Sequence, residues 1–179
     1  MIVRPGVELP VARIELGRAA QAALDAVGPP APASIGLVLT DDRELSALNA
    51  RYMGEERATD VLSFPLLRTG GAALAGEHSF VLPPGQRTHL GDVVVSVERA
   101  AVQARTGSGG QTGDVRWSVR DELRLLVVHG TLHVCGWDHA LPQEEAAMRA
   151  VERRILAALG TGRVQAVSSA RGSVSAADA

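Results

Sequence analysis

The stretch from Leu123 to His139 constrains this chain more than any other. It opens with Leu123-Arg124-Leu125-Leu126-Val127-Val128, a run too apolar to be left in water. It continues His129-Gly130-Thr131-Leu132-His133-Val134-Cys135-Gly136-Trp137-Asp138-His139, which holds three of the five histidines in the sequence. Read as one buried helix, the run sets His129 and His133 one turn apart on a single face, because side chains four residues apart stack on a helix surface. Gly136 can take the left-handed conformation that ends a helix, so the chain can turn back and deliver His139 to the same point. Three neutral imidazoles converging in this way suit one Zn²⁺ per chain with its fourth position open. A water held there has its pKa lowered towards neutrality. Core filler is a poor account of the three, since every buried imidazole needs a polar partner.

The spacing matches the long zinc-peptidase motif H-E-x-x-H-x-x-G-x-x-H with one change: Gly130 stands where the peptidase carries its Glu. That Glu is the general base on the attacking water. The sequence therefore keeps the metal geometry and drops the peptidase chemistry. Cys135, the single cysteine, rules out an intramolecular disulfide. It is either a further ligand or, as the favoured reading has it, a small apolar filler on the other side of the helix. Asp138 has three possible roles. It can serve the backbone of the turn, accept a hydrogen bond from an imidazole N–H, or take a proton from water as a catalytic base.

Two further blocks accompany the histidine motif. Leu48-Asn49 is followed by Thr59-Asp60-Val61-Leu62-Ser63-Phe64-Pro65, and then comes Leu90-Gly91-Asp92-Val93-Val94-Val95-Ser96. Taken together, H-G-x-L-H-x-x-G-x-D-H, T-D-V-L-S-F-P and L-G-D-x-x-x-S resemble, in order, the signatures of the YbeY-type endoribonucleases, the bacterial rRNA maturation factors. The resemblance covers residues 35–159. It implies a zinc-dependent endoribonuclease that cuts single-stranded RNA in rRNA maturation and ribosome biogenesis, with the ribosome or its small subunit as partner. It also implies a small mixed sheet flanked by helices, with the metal helix packed against it. Family members commonly carry an Arg at the position of Met53, where it is a candidate phosphate contact. Arg51 and Arg57 lie close by and are the substitutes, set against a reading as solvated surface residues.

The rest of the chain fits one domain. With 179 residues, 46% of them hydrophobic, a single sizeable core is expected. The formal net charge of −2 provides no overall basic field for nucleic acid, so RNA binding must rest on a local Arg patch. Every basic residue apart from histidine is Arg, whose planar fork grips phosphate through two hydrogen bonds. Pro5 interrupts the first residues before any signal peptide can form, and no apolar run reaches transmembrane length. A cytoplasmic protein with no membrane partner is expected.

Pattern predicts a helix over residues 11–27 stopped by Gly28-Pro29-Pro30, a strand over 34–39, and a helix opened by the Asp41–Glu44 pair and ending near Gly54. Next come a strand over 61–64, a Gly-, Ala- and Pro-rich insertion over 68–88, a strand over 90–97 and a helix from about Glu98. Gly91-Asp92 reads as a turn leading into that strand, and residues 107–110 as a flexible linker. The metal helix spans 117–135. A last helix runs from Pro142 to Gly160, with Met148, Val151, Ile155 and Leu159 as its apolar face. Residues 1–3 are a possible fourth strand. The expected fold is thus α+β, a single domain over 1–160 built round a zincin-like metal helix, with residues 161–179 a disordered tail. His78 and His89 read as surface histidines. Two other functions fit the residues: a ribosome-assembly binding protein whose metal is structural, with Cys135 or Asp138 as the fourth ligand, and a zinc peptidase, which Gly130 disfavours.

Overall fold

A computed structural model of the protein describes residues 1–29, 32–66, 86–106 and 118–161. The elements run β1 (Ile2–Val3), α1 (Arg13–Val27), β2 (Ala33–Thr40), α2 (Asp42–Met53), β3 (Val61–Pro65), β4 (Thr88–Ser96), α3 (Val97–Thr106), α4 (Val119–Val134) and α5 (Pro142–Ala158). The four strands form one mixed sheet in the order β1-β2-β4-β3. β1, β2 and β4 are parallel, and β3 is antiparallel on the edge. This is the expected mixed sheet flanked by helices, with the possible first strand present. The expected linker at 107–110, Trp117 and most of the insertion lie outside the described residues.

Alternation along the strands divides the core in two. Leu37, Leu39, Val93 and Val95 face the larger cluster with α1, α4 and α5. Leu62 and Val94 face the other way, onto Leu45 of α2, with Val38, Leu48 and Phe64 around them. α4 is apolar on nearly every side, as a helix buried by its neighbours must be, and it touches α1, α3, α5, β3 and β4. Arg124, the one charge in its apolar run, is buried. Its guanidinium donates to Glu15 of α1 at 2.6 Å and reaches Leu159 O and Thr161 Oγ1 beyond α5. One side chain thereby ties three helices together.

The helix ends follow local chemistry. Asp41 caps α2 by accepting from the Glu44 N–H at 2.8 Å. Ser118 and Asp121 form a reciprocal capping box at the start of α4, a signal the sequence reading did not use. At the C-terminus of α4, Gly136 has φ 88°, and the bonds Gly136 N–H to His133 O and Trp137 N–H to Leu132 O complete a Schellman turn. The same arrangement ends α5 at Gly160. Thr161, placed at the head of the tail by the sequence reading, is buried and donates its N–H to Leu156 O; residues 162–179 lie outside the described residues.

Several boundaries differ from expectation. α1 starts at Arg13 rather than at position 11. Thr88 opens β4, paired with Ala33, instead of closing the insertion, and Val97 belongs to α3. Gly91 and Asp92 lie inside β4, not in a turn before it. The β2–β4 register slips between Ser34 and Gly36. Opposite that slip Gly91 has φ 150°, and a Cβ there would lie 2.3 Å from Phe64 O. The slip interrupts the alternation on which a strand reading depends.

At the N-terminal end of α4, Glu122 is almost completely buried near Asp60 of the α2–β3 loop. Asp60 is itself committed, accepting from the Val61 N–H and from Gln103 of α3. Burial, and then the Asp60 charge, push the Glu122 carboxyl from 4.5 up to about 7. A raised carboxyl pKa stabilises the fold fully below 4.5, and that contribution is lost as pH rises towards 7. Its size is at most about 3 kcal/mol. Glu122→Gln should therefore gain stability relative to wild type between pH 4.5 and 7, while the depressed His133 pKa acts equally on both proteins. Denaturant midpoints measured across that range check this, and parallel curves for the two proteins would refute it.

Candidate metal centre

α4 carries His129 and His133 on one face, and the Schellman turn swings His139 back over them. The three side chains place one nitrogen each within 4.8 Å of the others. Nε2 of His129 and Nε2 of His133 are 3.0 Å apart. The rings of His133 and His139 meet edge to face, their centroids 4.9 Å apart. His129 and His133 are half-buried and His139 is exposed, so the cluster lies in a recess that opens to water.

What holds the imidazoles comes from a helix the sequence reading did not connect to them. Oε1 of Glu152, on α5, accepts from Nδ1 of His129 at 2.6 Å, and Glu152 is 1% exposed. A carboxylate behind an imidazole fixes its tautomer and turns the other nitrogen, with its lone pair, towards the ligand. His133 hydrogen-bonds the backbone of Trp137. Its pKa falls to about 4, first because it is buried and then because His129 and His139 crowd it with like charge. With these partners engaged, two Nε2 lone pairs face one another at 3.0 Å. That contact is repulsive between neutral rings and favourable round a cation. Tetrahedral Zn²⁺ with bonds of about 2.0–2.1 Å needs nitrogens roughly 3.3 Å apart. The residues therefore fit a divalent ion held by three imidazoles.

Gly130 explains the missing peptidase carboxylate. It packs on the sheet: a Cβ there would lie 2.5 Å from Val93 Cγ1 and 3.0 Å from Val61 Cγ2, and Ser63 of β3 donates its hydroxyl to Gly130 O. The position directed at the sheet has no room for a side chain. Cys135 faces the apolar core, where burial pushes its thiol up to about 11, the reverse of what a thiolate ligand requires. Among the described residues neither Cys135 nor Asp138 joins the donor group.

Asp138 is exposed, and its Oδ1 accepts from the His139 N–H at 2.7 Å, a bond that shapes the turn. Arg51 lies over the Tyr52 ring and Arg57 pairs with Glu55. Neither Arg lines the cavity of about 140 Å³ beside the histidines, which is bounded by His129, His139, Glu145, Met148, Arg149 and Glu152. His89 pairs with Asp92, away from the cluster. His78 lies outside the described residues. The residues that sequence reasoning missed, Glu145, Arg149 and Glu152, share one face of α5 with Met148. Their signal was there: Glu152 interrupts the apolar stripe Met148, Ile155, Leu159 at a buried position.

Known proteins carry the same arrangement of sequence. The family model described as Endoribonuclease YbeY matches residues 10–160. The chain belongs to the YbeY endoribonuclease family. Among its relatives, the Endoribonuclease YbeY of Roseiflexus castenholzii is 41% identical over 133 residues, 74% of each chain. That of Dehalococcoides mccartyi is 35% identical over 149 residues, 83% of this chain and 88% of the relative. The matched region takes in the whole sheet beyond β1, all three histidines and Glu152, so the family match covers the candidate metal centre.

Glu152→Gln keeps the volume but removes the charge that draws the proton of Nδ1. Metal affinity should fall about 10- to 100-fold. Competition against a chromophoric chelator measures this, and an unchanged affinity would remove Glu152 from the metal centre.

Proposed function

We propose that this chain is a metal-dependent, single-strand-specific endoribonuclease acting in the cytoplasm in rRNA maturation, with Zn²⁺ as its ion and the ribosome or its small subunit as its partner. One observation carries the reading: a chain of the YbeY family presents three imidazoles on one point, with a buried carboxylate fixing the first. No described helix is long and apolar enough to cross a membrane.

His129, His133 and His139 would hold the ion. The chemistry such an ion supplies when bound is Lewis acidity towards a phosphoryl oxygen and a lowered pKa for water. The protein supplies the rest. Glu152 keeps the His129 lone pair directed at the ligand. Asp138, exposed beside His139, accepts the proton that the attacking oxygen gives up. The absence of a carboxylate at position 130 removes the group that would pass a proton to a departing amine. The oxygen leaving a phosphate ester is a better leaving group than an amide nitrogen, and it takes up the proton that Asp138 has accepted. Recession of the histidines favours a flexible single strand, which can bend one phosphate down to them where a stiff duplex cannot. Arg51 and Arg57, both exposed, serve as outer contacts along the strand.

A structural metal in an assembly protein needs a closed donor set. Cys135 is turned into the core, and among the described residues Asp138 lies outside the donor group, so that second reading lacks its fourth ligand.

The purified protein should contain one metal ion per chain and cut single-stranded RNA. Chelation should abolish cutting, and added Zn²⁺ should restore it. His133→Ala should lose both metal and cleavage; full cleavage by a metal-free His133→Ala protein would sink the metal mechanism. Asp138→Asn should retain the metal and lose about 10²- to 10⁴-fold in kcat. Unimpaired turnover in that variant would leave Asp138 with only its role in the turn.

A further inference from the structure

We propose that Arg149 is a phosphate-binding residue of the RNA site and that Glu145 holds it in waiting. The inference deepens the nuclease reading and rests on it. Glu145, Met148, Arg149 and Glu152 follow one another at i, i+3, i+4 and i+7, which places all four on one face of α5. That face lines the cavity beside His129 and His139. Its two carboxylates are placed differently. The Glu152 side chain is 2% exposed and committed to His129. The Glu145 side chain is 43% exposed and takes both Nε and Nη2 of Arg149 on its single oxygen Oε1, the Nε bond measuring 2.9 Å. The Arg149 side chain is equally exposed, so this ion pair faces water.

Chemistry distinguishes the pair from an ordinary surface bridge. Among the described residues the cavity is walled by two histidines, two carboxylates, a methionine and Arg149, so Arg149 is the one permanent cation among them. A strand whose phosphate approaches the histidines carries a negative charge on neighbouring phosphates as well, and it meets the exposed Glu145 with the buried Glu152 behind it. Without a compensating cation those carboxylates repel it. An exposed Arg–Glu pair is worth only about 0.2–1 kcal/mol, so an arriving phosphate can displace the Glu145 oxygen. The guanidinium then presents its fork to two phosphate oxygens, a match of shape as well as of charge. Glu145 thus holds Arg149 in the cavity lining through a bond that a phosphate can replace. The occupant this geometry fits is a phosphodiester next to the one being cut.

The test uses metal-loaded wild type, Arg149→Ala, Arg149→Lys and Glu145→Gln. Metal content is measured for each, and initial rates on a single-stranded RNA are followed over a series of salt concentrations. Arg149→Ala should keep its metal and its kcat and raise KM about tenfold, as expected for a lost charged hydrogen-bonding partner. Its dependence of log KM on log salt should flatten by about 0.7, the value for one phosphate contact on a single strand. Arg149→Lys should recover the salt dependence and only part of the KM, because it restores charge without the fork. Glu145→Gln should lower KM. An Arg149→Ala protein with wild-type KM and salt dependence would overturn the assignment while leaving the nuclease reading intact. Loss of metal from Arg149→Ala would overturn it too, by showing that the residue supports the metal centre instead. A fully loaded wild type that cuts no RNA would overturn both readings together.

Discussion

The structure depends on one close contact, the backbone of α4 laid directly on the sheet at Gly130. Val93 of the central strand β4 and Val61 of the edge strand β3 occupy the space a side chain would need, and Ser63 hydrogen-bonds the Gly130 carbonyl from the same strand. Interiors packed at crystal-like density do not absorb an added methyl group without displacement. The contact therefore fixes the depth of α4 and with it the height of His129, one residue earlier. It also decides chemistry. A glutamate at position 130 would collide with the sheet, so this backbone cannot carry the peptidase base even though its histidine spacing is the peptidase one. Sheet packing and the loss of the peptidase base follow from the same missing side chain.

Holding Glu152 in the interior is expensive, since a carboxylate removed from water loses several kcal/mol of solvation unless it is bonded. The compensation is the 2.6 Å bond to His129, and a cation at Nε2 strengthens it by making Nδ1–H a better donor. The ion would thus repay part of the cost of the carboxylate that orients its ligand. The depressed pKa of His133 works in the same direction, because a ring that resists protonation keeps its lone pair available. A His133 lone pair facing Nε2 of His129 at 3.0 Å is a poor arrangement for imidazoles on their own and a good one for holding a metal ion.

The parts of this arrangement that were legible in the sequence are those fixed by local geometry. His129 and His133 stack because a helix repeats every 3.6 residues, and Gly136 marks the turn because few other residues tolerate φ near 88°. Three strands were found as short apolar or β-branched runs, and the first, of two residues, only as a possibility. Register was not legible: the slip opposite Gly91 puts polar His89 and Asp92 into β4, and so the strand's first residues read as loop. Glu152 was hidden for a different reason. On its own helix it is a charged residue within an apolar stripe, and only the tertiary contact with α4 shows what it is for. The burial of Arg124 followed from its apolar neighbours, but its partners lie on α1 and beyond α5, far away along the chain.

That last link bears on the site. α5 supplies both Glu152 and Arg149, so the chemistry requires α5 to be seated against α4 in a single position. At the histidine end the seat is the Glu152–His129 bond with Met148 buried beside it. At the far end it is the Arg124 guanidinium, which bridges from Glu15 to the carbonyl of Leu159 and the hydroxyl of Thr161 just past the Schellman turn of α5. Two polar clamps about two turns apart, with Ile155 and Leu156 buried between them, leave α5 little freedom to slide or roll. A polar clamp specifies position where an apolar surface alone tolerates several, because a small shift breaks a hydrogen bond outright and costs an apolar contact only gradually. Glu152 and Arg124, two of the buried charges, therefore hold the C-terminal half of α5, the part that carries the partner of His129.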